Sequence, residues 1–147
     1  MIQVVVISHG RFCDGLLDTL EMVCGGDFGI RTLGLIPGTS PEEYRERLTE
    51  ILTRCVEEDS RGALVLADIA GGTPFNSAVY LRSKFRIGIV AGVNMPMLMT
   101  LAMDRDESDT IESLLEKAES PLALGFKTIS PDVSGKRSHA KLSAHKD

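Results

Sequence analysis

Several features that would point to common functions are missing from this chain. No run of apolar residues is long enough to cross a bilayer: the longest nearly apolar stretch, Met95 to Met103, is interrupted by Pro96 and Thr100 and falls far short of the roughly 20 residues a membrane helix needs. The N-terminus has no basic segment ahead of its short apolar run, Val4 to Ile7, so it does not read as a signal peptide, and a cytoplasmic location is expected. The three cysteines, Cys13, Cys24 and Cys55, form no CxxC pair, which fits free thiols in a reducing compartment. Neither GxGxxG nor GxxxxGK[ST] occurs, so nucleotide binding through either loop is unsupported. No basic stripe interleaves with aromatics in a chain whose net charge is −5, which argues against nucleic acid as a partner. Histidine is scarcest where it matters most. Of three, His139 and His145 lie in a polar C-terminal segment, leaving His9 as the sole imidazole of the core-forming region.

The remaining 147-residue composition, 43% hydrophobic and 25% charged, is that of one ordinary globular domain. Ile2 to Ser8, Ile30 to Ile36, Ala63 to Ala67 and Arg86 to Val90 read as short buried strands. Between and after them come amphipathic helices. The first carries Leu16, Leu17, Leu20, Val23 and Cys24 and stops at Gly25-Gly26. The second opens on Ser40-Pro41-Glu42-Glu43, a capping-box pattern, and carries Tyr44, Leu48, Ile51, Leu52 and Cys55 on one face. The third is expected over 75–84, with Thr73 as its N-cap before Pro74. An apolar helical segment ends near Met103, and a last helix is expected with Asp109 and Glu112 at its start. Alternating buried strands and helices predict an α/β fold, a doubly wound open sheet of four parallel strands in order 2-1-3-4 with helices on both faces. Leu124 to Ile129 is expected to add a short C-terminal strand paired to another subunit's edge. Residues 1–129 form the working domain on this reading. Residues 130–147, with a net charge of +2 from four basic and two acidic side chains, are expected to be a flexible polar tail.

In such sheets ligands collect at the carboxyl ends of the strands, especially where the strand order reverses. Ser8-His9-Gly10 follows the first strand there and Asp68 the third, with Gly71-Gly72-Thr73-Pro74 after it. Neighbouring strands lie about 4.8 Å apart, which brings His9 and Asp68 within reach. A lone histidine at a strand end is ordinarily structural; a carboxylate behind it changes that. It fixes the tautomer, leaves the other nitrogen as an outward lone pair and stabilises positive charge on the reacting ring, so the pair is a candidate general base or nucleophile. Gly10, the Gly71-Gly72 turn and Thr73 offer backbone N–H and hydroxyl donors for an oxyanion or phosphate. Other candidates are weaker. Asp104, Asp106 and Ser108 resemble the start of a calcium loop, but Asp109 stands where glycine is needed and Leu115 where glutamate is needed. Cys13 reads as a small buried residue. With one core histidine, no metal or other cofactor is expected.

The segments Ile7-Ser8-His9-Gly10, Asp68-Ile69-Ala70-Gly71-Gly72-Thr73-Pro74-Phe75-Asn76 and Ala91-Gly92-Val93-Asn94-Met95-Pro96-Met97-Leu98 together resemble the IIA component of the mannose family of the bacterial phosphoenolpyruvate-dependent sugar phosphotransferase system. The resemblance covers roughly residues 1–129. It implies that His9 takes a phosphoryl group from phospho-HPr through Nε2 and passes it to a IIB component, and through that to membrane IIC and IID components, for sugar uptake. It further implies that Asp68 holds Nδ1–H, that Ser8, Gly10, Gly72 and Thr73 bind the phosphoryl group, that no metal takes part, and that the protein is a homodimer exchanging Leu124–Ile129. Direct membrane insertion is not implied. The family often carries a hydroxyl or aromatic residue where this chain has Ile69-Ala70, at the rim of the site. Two other roles share the same site: a regulatory phosphohistidine module uncoupled from transport, and the phosphocarrier of dihydroxyacetone kinases, whose motif after the third strand is Met-Gly-Ser-Ala-like instead.

Overall fold

The structure, a computed structural model, describes residues 1–131; all but the first two residues of the expected tail lie outside the described residues. In chain order the elements are β1 (Gln3–His9), α1 (Phe12–Cys24), β2 (Arg31–Leu35), α2 (Pro41–Glu58), β3 (Ala63–Ala67), α3 (Gly72–Leu81), β4 (Ile87–Ala91), α4 (Met95–Asp104), α5 (Ile111–Glu119) and α6 (Pro121–Leu124). The four strands are parallel and ordered β2-β1-β3-β4, as the alternation of strands and helices predicts. The order reverses between β1 and β3, and the register Ile7↔Ala67 brings the ends of those two strands level.

Side-chain alternation along β1 distributes the core. Val4 and Val6 pack with Leu64 and Leu66 against Leu16 and Leu20 of α1, Leu98 and Leu101 of α4 and Leu114 of α5. Val5 and Ile7 pack with Val65 and Ala67 on the opposite face, against Leu48 and Leu52 of α2 and Ala78 and Leu81 of α3. Each fully buried leucine contributes about 1.5–3 kcal/mol relative to exposure. The same alternation sends Ser8 toward α1 and His9 toward α3, which decides what each can do.

Helix starts differ from expectation at two places. Thr73 does not cap α3: the N-cap is Gly71 and the helix begins at Gly72, so Pro74 occupies the third helical position. Proline is tolerated there because N–H groups of the first turn have no intrahelical acceptor. Helix α5 is capped by Thr110, not Asp109, through a reciprocal box with Ser113; Asp109 instead accepts bonds from Lys117 Nζ and Ser113 Oγ. Ser40 caps α2 as expected, accepting from Glu43 N–H at 3.1 Å. Val23, expected on the inner face of α1, is exposed, lying in the helix's last turn.

The predicted strand over Leu124–Ile129 is not formed within the chain. Ser120 and Pro121 start a single helical turn that ends at Leu124, Gly125 closes it in a left-handed conformation, and residues 125–131 carry no regular structure. Leu122, Leu124, Phe126 and Ile129 are exposed.

Candidate functional site

The site forms where the ends of β1 and β3 meet. His9 is the last residue of β1 and Asp68 follows β3 directly; Asp68 N–H still bonds Ile7 C=O at 3.2 Å, extending the ladder by one rung. Asp68 Oδ2 then accepts two bonds from His9, from its backbone N–H at 2.9 Å and from Nδ1 at 2.9 Å, while Oδ1 accepts Ile69 N–H at 2.9 Å. Burial works against the Asp68 charge, but the His9 backbone N–H, the His9 ring and the Ile69 N–H outweigh it and hold the carboxyl below the usual range. Asp68 is therefore an ionised acceptor near neutral pH, which assigns the proton to Nδ1 and leaves Nε2 as the lone pair. With its side chain 45% exposed against 14% for Asp68, the imidazole faces outward on a shielded base.

Gly72 closes the other side. It has φ +78°, and a Cβ placed on it would lie 2.8 Å from His9 Cε1 and 2.9 Å from Nε2. Only glycine allows the first turn of α3 to stand this close to the ring. The N–H groups of that turn have no helical acceptor, and the helix dipole favours negative charge there. Thr73 sits half-buried in the same turn. Nε2 thus opens onto a place suited to an anionic group.

Two expected donors are occupied. Ser8 is fully buried; its hydroxyl donates to Gly10 C=O at 3.5 Å, and its Oγ accepts Cys13 N–H at 2.9 Å, satisfying one free donor at the start of α1. Gly10 N–H donates to Leu35 C=O at 2.8 Å. Both residues hold the β1–α1 turn in place. Gly34 on β2 belongs to the same construction, since a Cβ there would fall 2.1 Å from Gly10 C=O. A glycine inside a predicted strand is the signal for such an approach, and sequence reasoning did not single it out. A shallow cavity of about 370 Å³ beside the imidazole is lined by His9, Gly10, Leu35, Ile36, Pro37, Gly38 and Thr39.

The Ala91–Leu98 block starts α4: Asn94 Oδ1 accepts Met97 N–H at 2.8 Å, and Asn94 Nδ2 donates to Leu124 C=O at 3.3 Å. Cys13 is buried, and burial pushes its thiol pKa up, the wrong direction for a nucleophile. Among the described residues no three His, Cys, Asp or Glu side chains converge as metal ligands. Asp106 binds the N–H and hydroxyl of Ser108, and its loop is held by Arg61, which reaches the carbonyls of Glu107 and Asp109.

Fold and site together define an open α/β protein with an exposed, carboxylate-backed histidine at the point where strand order reverses and a glycine-led helix start against its free nitrogen. Residues 3–119 match the family model described as PTS system fructose IIA component, and the chain belongs to that family. It is 32% identical over 118 residues, 80% of its own length, to the PTS system mannose-specific EIIAB component of Escherichia coli, of which it spans only 36%. It is 30% identical over 107 residues to the PTS system fructose-specific EIIA component of Bacillus subtilis, covering 72% of each chain. Among solved structures it resembles the phosphotransferase system component EIIA from Streptococcus agalactiae, with a TM-score of 0.77, 29% identity, and 87% and 97% of the two chains covered. No helix among the described residues is long and apolar enough to span a membrane.

Proposed function

We propose that His9 is the phosphoryl carrier of this chain, taking the group from phospho-HPr onto Nε2 and passing it to a IIB component in the cytoplasm. The observation that carries this reading is the pair of contacts on one ring: Asp68 Oδ2 on Nδ1 and Gly72 against Nε2. The Nε2 lone pair attacks phosphorus in line with the donor's P–N bond. As the new N–P bond forms the old one breaks, and its electron pair leaves on the donor imidazole, so no proton is transferred. His9, now carrying hydrogen on Nδ1 and phosphorus on Nε2, is cationic, and the Asp68 carboxylate offsets that charge. Gly72 and Thr73, at the start of α3, bind the phosphoryl oxygens. Such a transfer is catalysed mainly by positioning and fixed dipoles. It calls on no metal, because the donor P–N bond is already activated.

The role of Ser8 and Gly10 in this reading is indirect: they hold the turn that aims His9. The exposed Phe126 and Ile129 support pairing of residues 125–129 with a second copy in a homodimer. Onward transfer is tested by isolating the protein phosphorylated on His9 and mixing it with a IIB component. Stoichiometric movement of the label to IIB, and from there to sugar when IIC and IID are added, is expected. Retention of the label on this chain in the presence of IIB would leave a regulatory phosphohistidine module as the function.

A further inference from the structure

Helix α3 begins against the His9 ring and ends at a second, separate cavity. That cavity, of about 540 Å³, lies where α3 gives way to β4, at the end of the sheet away from His9, and its walls include Tyr80, Arg82, Ser83, Phe85 and Arg86. Among the described residues no carboxylate lines it. Arg82-Ser83-Lys84-Phe85-Arg86 places three cations in five residues of a chain whose net charge is −5. A helix C-terminus favours a cation, but the carbonyls of Val79, Tyr80 and Leu81 already accept the N–H groups of Arg82, Ser83, Lys84 and Phe85. The guanidinium of Arg82 has no hydrogen bond or ion pair among the described residues. Arg86 Nη2 meets Glu112 Oε1 at 2.6 Å, in a pair whose side chains are 63% and 65% exposed. Such exposed pairs hold weakly, and the other N–H groups of Arg86 stay available to a second anion. Tyr80 is 53% exposed, and Arg45 Cζ stands 4.2 Å from its ring centroid, which fixes the ring at the cavity wall.

We infer that this cavity is a binding site for a phosphorylated sugar, with Arg82 and Arg86 on the phosphate and the Tyr80 ring against the sugar's C–H face. A guanidinium is a planar fork of donors that matches two phosphate oxygens at once, and two of them without a competing carboxylate in the wall make a local positive field in an acidic chain. The cavity has the volume of a small-molecule site, and an aromatic ring beside the cations supplies apolar surface for the rest of the ligand. The phosphate site stands apart from His9. The choice of a sugar as its carrier rests on the proposed role of this chain in sugar uptake, whose product is a phosphorylated sugar. Lipid headgroups carry the same phosphate chemistry. The exposed Glu57, Asp104 and Asp106, at the same end of the sheet, repel an extended anionic surface more than one small dianion, which favours the soluble ligand.

The test is a titration of the full chain in phosphate-free buffer, followed through its backbone amide resonances, with mannose 6-phosphate, mannose and inorganic phosphate as probes. Mannose 6-phosphate is expected to shift the resonances of Arg82, Ser83, Lys84, Phe85 and Arg86 saturably, with a Kd at least about tenfold below those of the other two probes. In Arg82→Gln that Kd is expected to rise by about tenfold or more. Absence of a saturable shift at these residues, a Kd no lower than that of inorganic phosphate, or a Kd unaltered in Arg82→Gln overturns the site. Shifts confined to Gly72 and Thr73 also overturn it, because they put the anion at His9. Sedimentation of the chain with vesicles containing phosphatidic acid, while mannose 6-phosphate leaves the spectrum unchanged, overturns it in favour of a lipid headgroup. None of these measurements transfers a phosphoryl group, so their failure leaves the assignment of His9 standing, and failure to label His9 leaves the measured affinity standing.

Discussion

A methyl group on Gly72 would lie 2.9 Å from Nε2 of His9, on the nitrogen that the Asp68 contact leaves free. The approach is possible because Gly72 lacks a Cβ and takes φ +78°, a conformation that costs other residues roughly 1–2 kcal/mol. Gly71 also has a positive φ, +84°, but its missing Cβ faces open space. The two adjacent glycines therefore separate backbone strain from steric contact with the ring. Gly72→Ala is expected to lower the rate of His9 phosphorylation by about 100-fold, the usual consequence of displacing a reacting group by an ångström, while Gly71→Ala costs stability of about 1 kcal/mol and less than about tenfold in rate. Rapid-quench phosphorylation alongside denaturant unfolding measures both.

Asp68→Asn keeps one carbonyl oxygen, which can take the place of Oδ2 toward the His9 N–H groups or of Oδ1 toward Ile69 N–H but not of both, and it removes the charge behind the ring. The expected result is a fall in transfer rate of about 100-fold or more, by the logic of a carboxylate that fixes the tautomer and stabilises the cationic ring, with the circular dichroism spectrum retained. A transfer rate equal to that of the unmodified chain would take Asp68 out of the mechanism.

Arg105 lies at the opposite end of the sheet. Its guanidinium is buried, donating to Ile2 C=O at 2.7 Å and to Phe28 C=O at 2.9 Å, and so ties α4 to β1 and to the α1–β2 loop. Burial pushes its pKa down, opposed by the charge of Asp109. Arg105→Ala strands two carbonyls and is expected to cost roughly 2–4 kcal/mol in denaturant unfolding, with the phosphorylation rate of the folded fraction within about twofold of the parent, since the change is remote from the reacting atoms.

Acid stability follows from carboxylates held below their usual range. For Asp59 the Arg61 side chain is the main cause and burial opposes it; for Asp109 burial opposes Lys117, the Asp106 N–H and Ser113. A lowered folded pKa adds stability that is fully present above the unfolded value and disappears as pH falls through the folded one. Unfolding midpoints are therefore expected to be flat from pH 7 to about 5 and to drop below about pH 4. Asp109→Asn is expected to lower the neutral midpoint and shallow the acid decline; an acid limb identical to the parent's would show that Asp109 does not contribute to it.

Much of this architecture is legible in the residues. Ala63–Ala67 is apolar throughout and β3 has those bounds; the level ends of β1 and β3 bring His9 and Asp68 together as the strand order predicts. The misreadings share a cause. Thr73 before Pro74 looks like a cap, yet the positive φ angles of Gly71 and Gly72 turn the chain earlier, and propensity does not report backbone dihedrals. Ser8 neighbours His9 in sequence but faces the other side of the sheet, so its hydroxyl serves α1. At Leu124 the start differs because Ser120 and Pro121 cap a helical turn that ends there, while pairing of residues 125–129 with a second copy stays a proposal.

We propose Nε2 of His9 as the atom that carries the phosphoryl group. Its most direct measurement is the site and chemistry of the label after incubation with phosphoenolpyruvate, enzyme I and HPr, with the unmodified chain beside His9→Gln. One acid-labile, base-stable phosphoryl group per chain is expected on His9 and none on the variant. A label of the same stoichiometry on His9→Gln would contradict it.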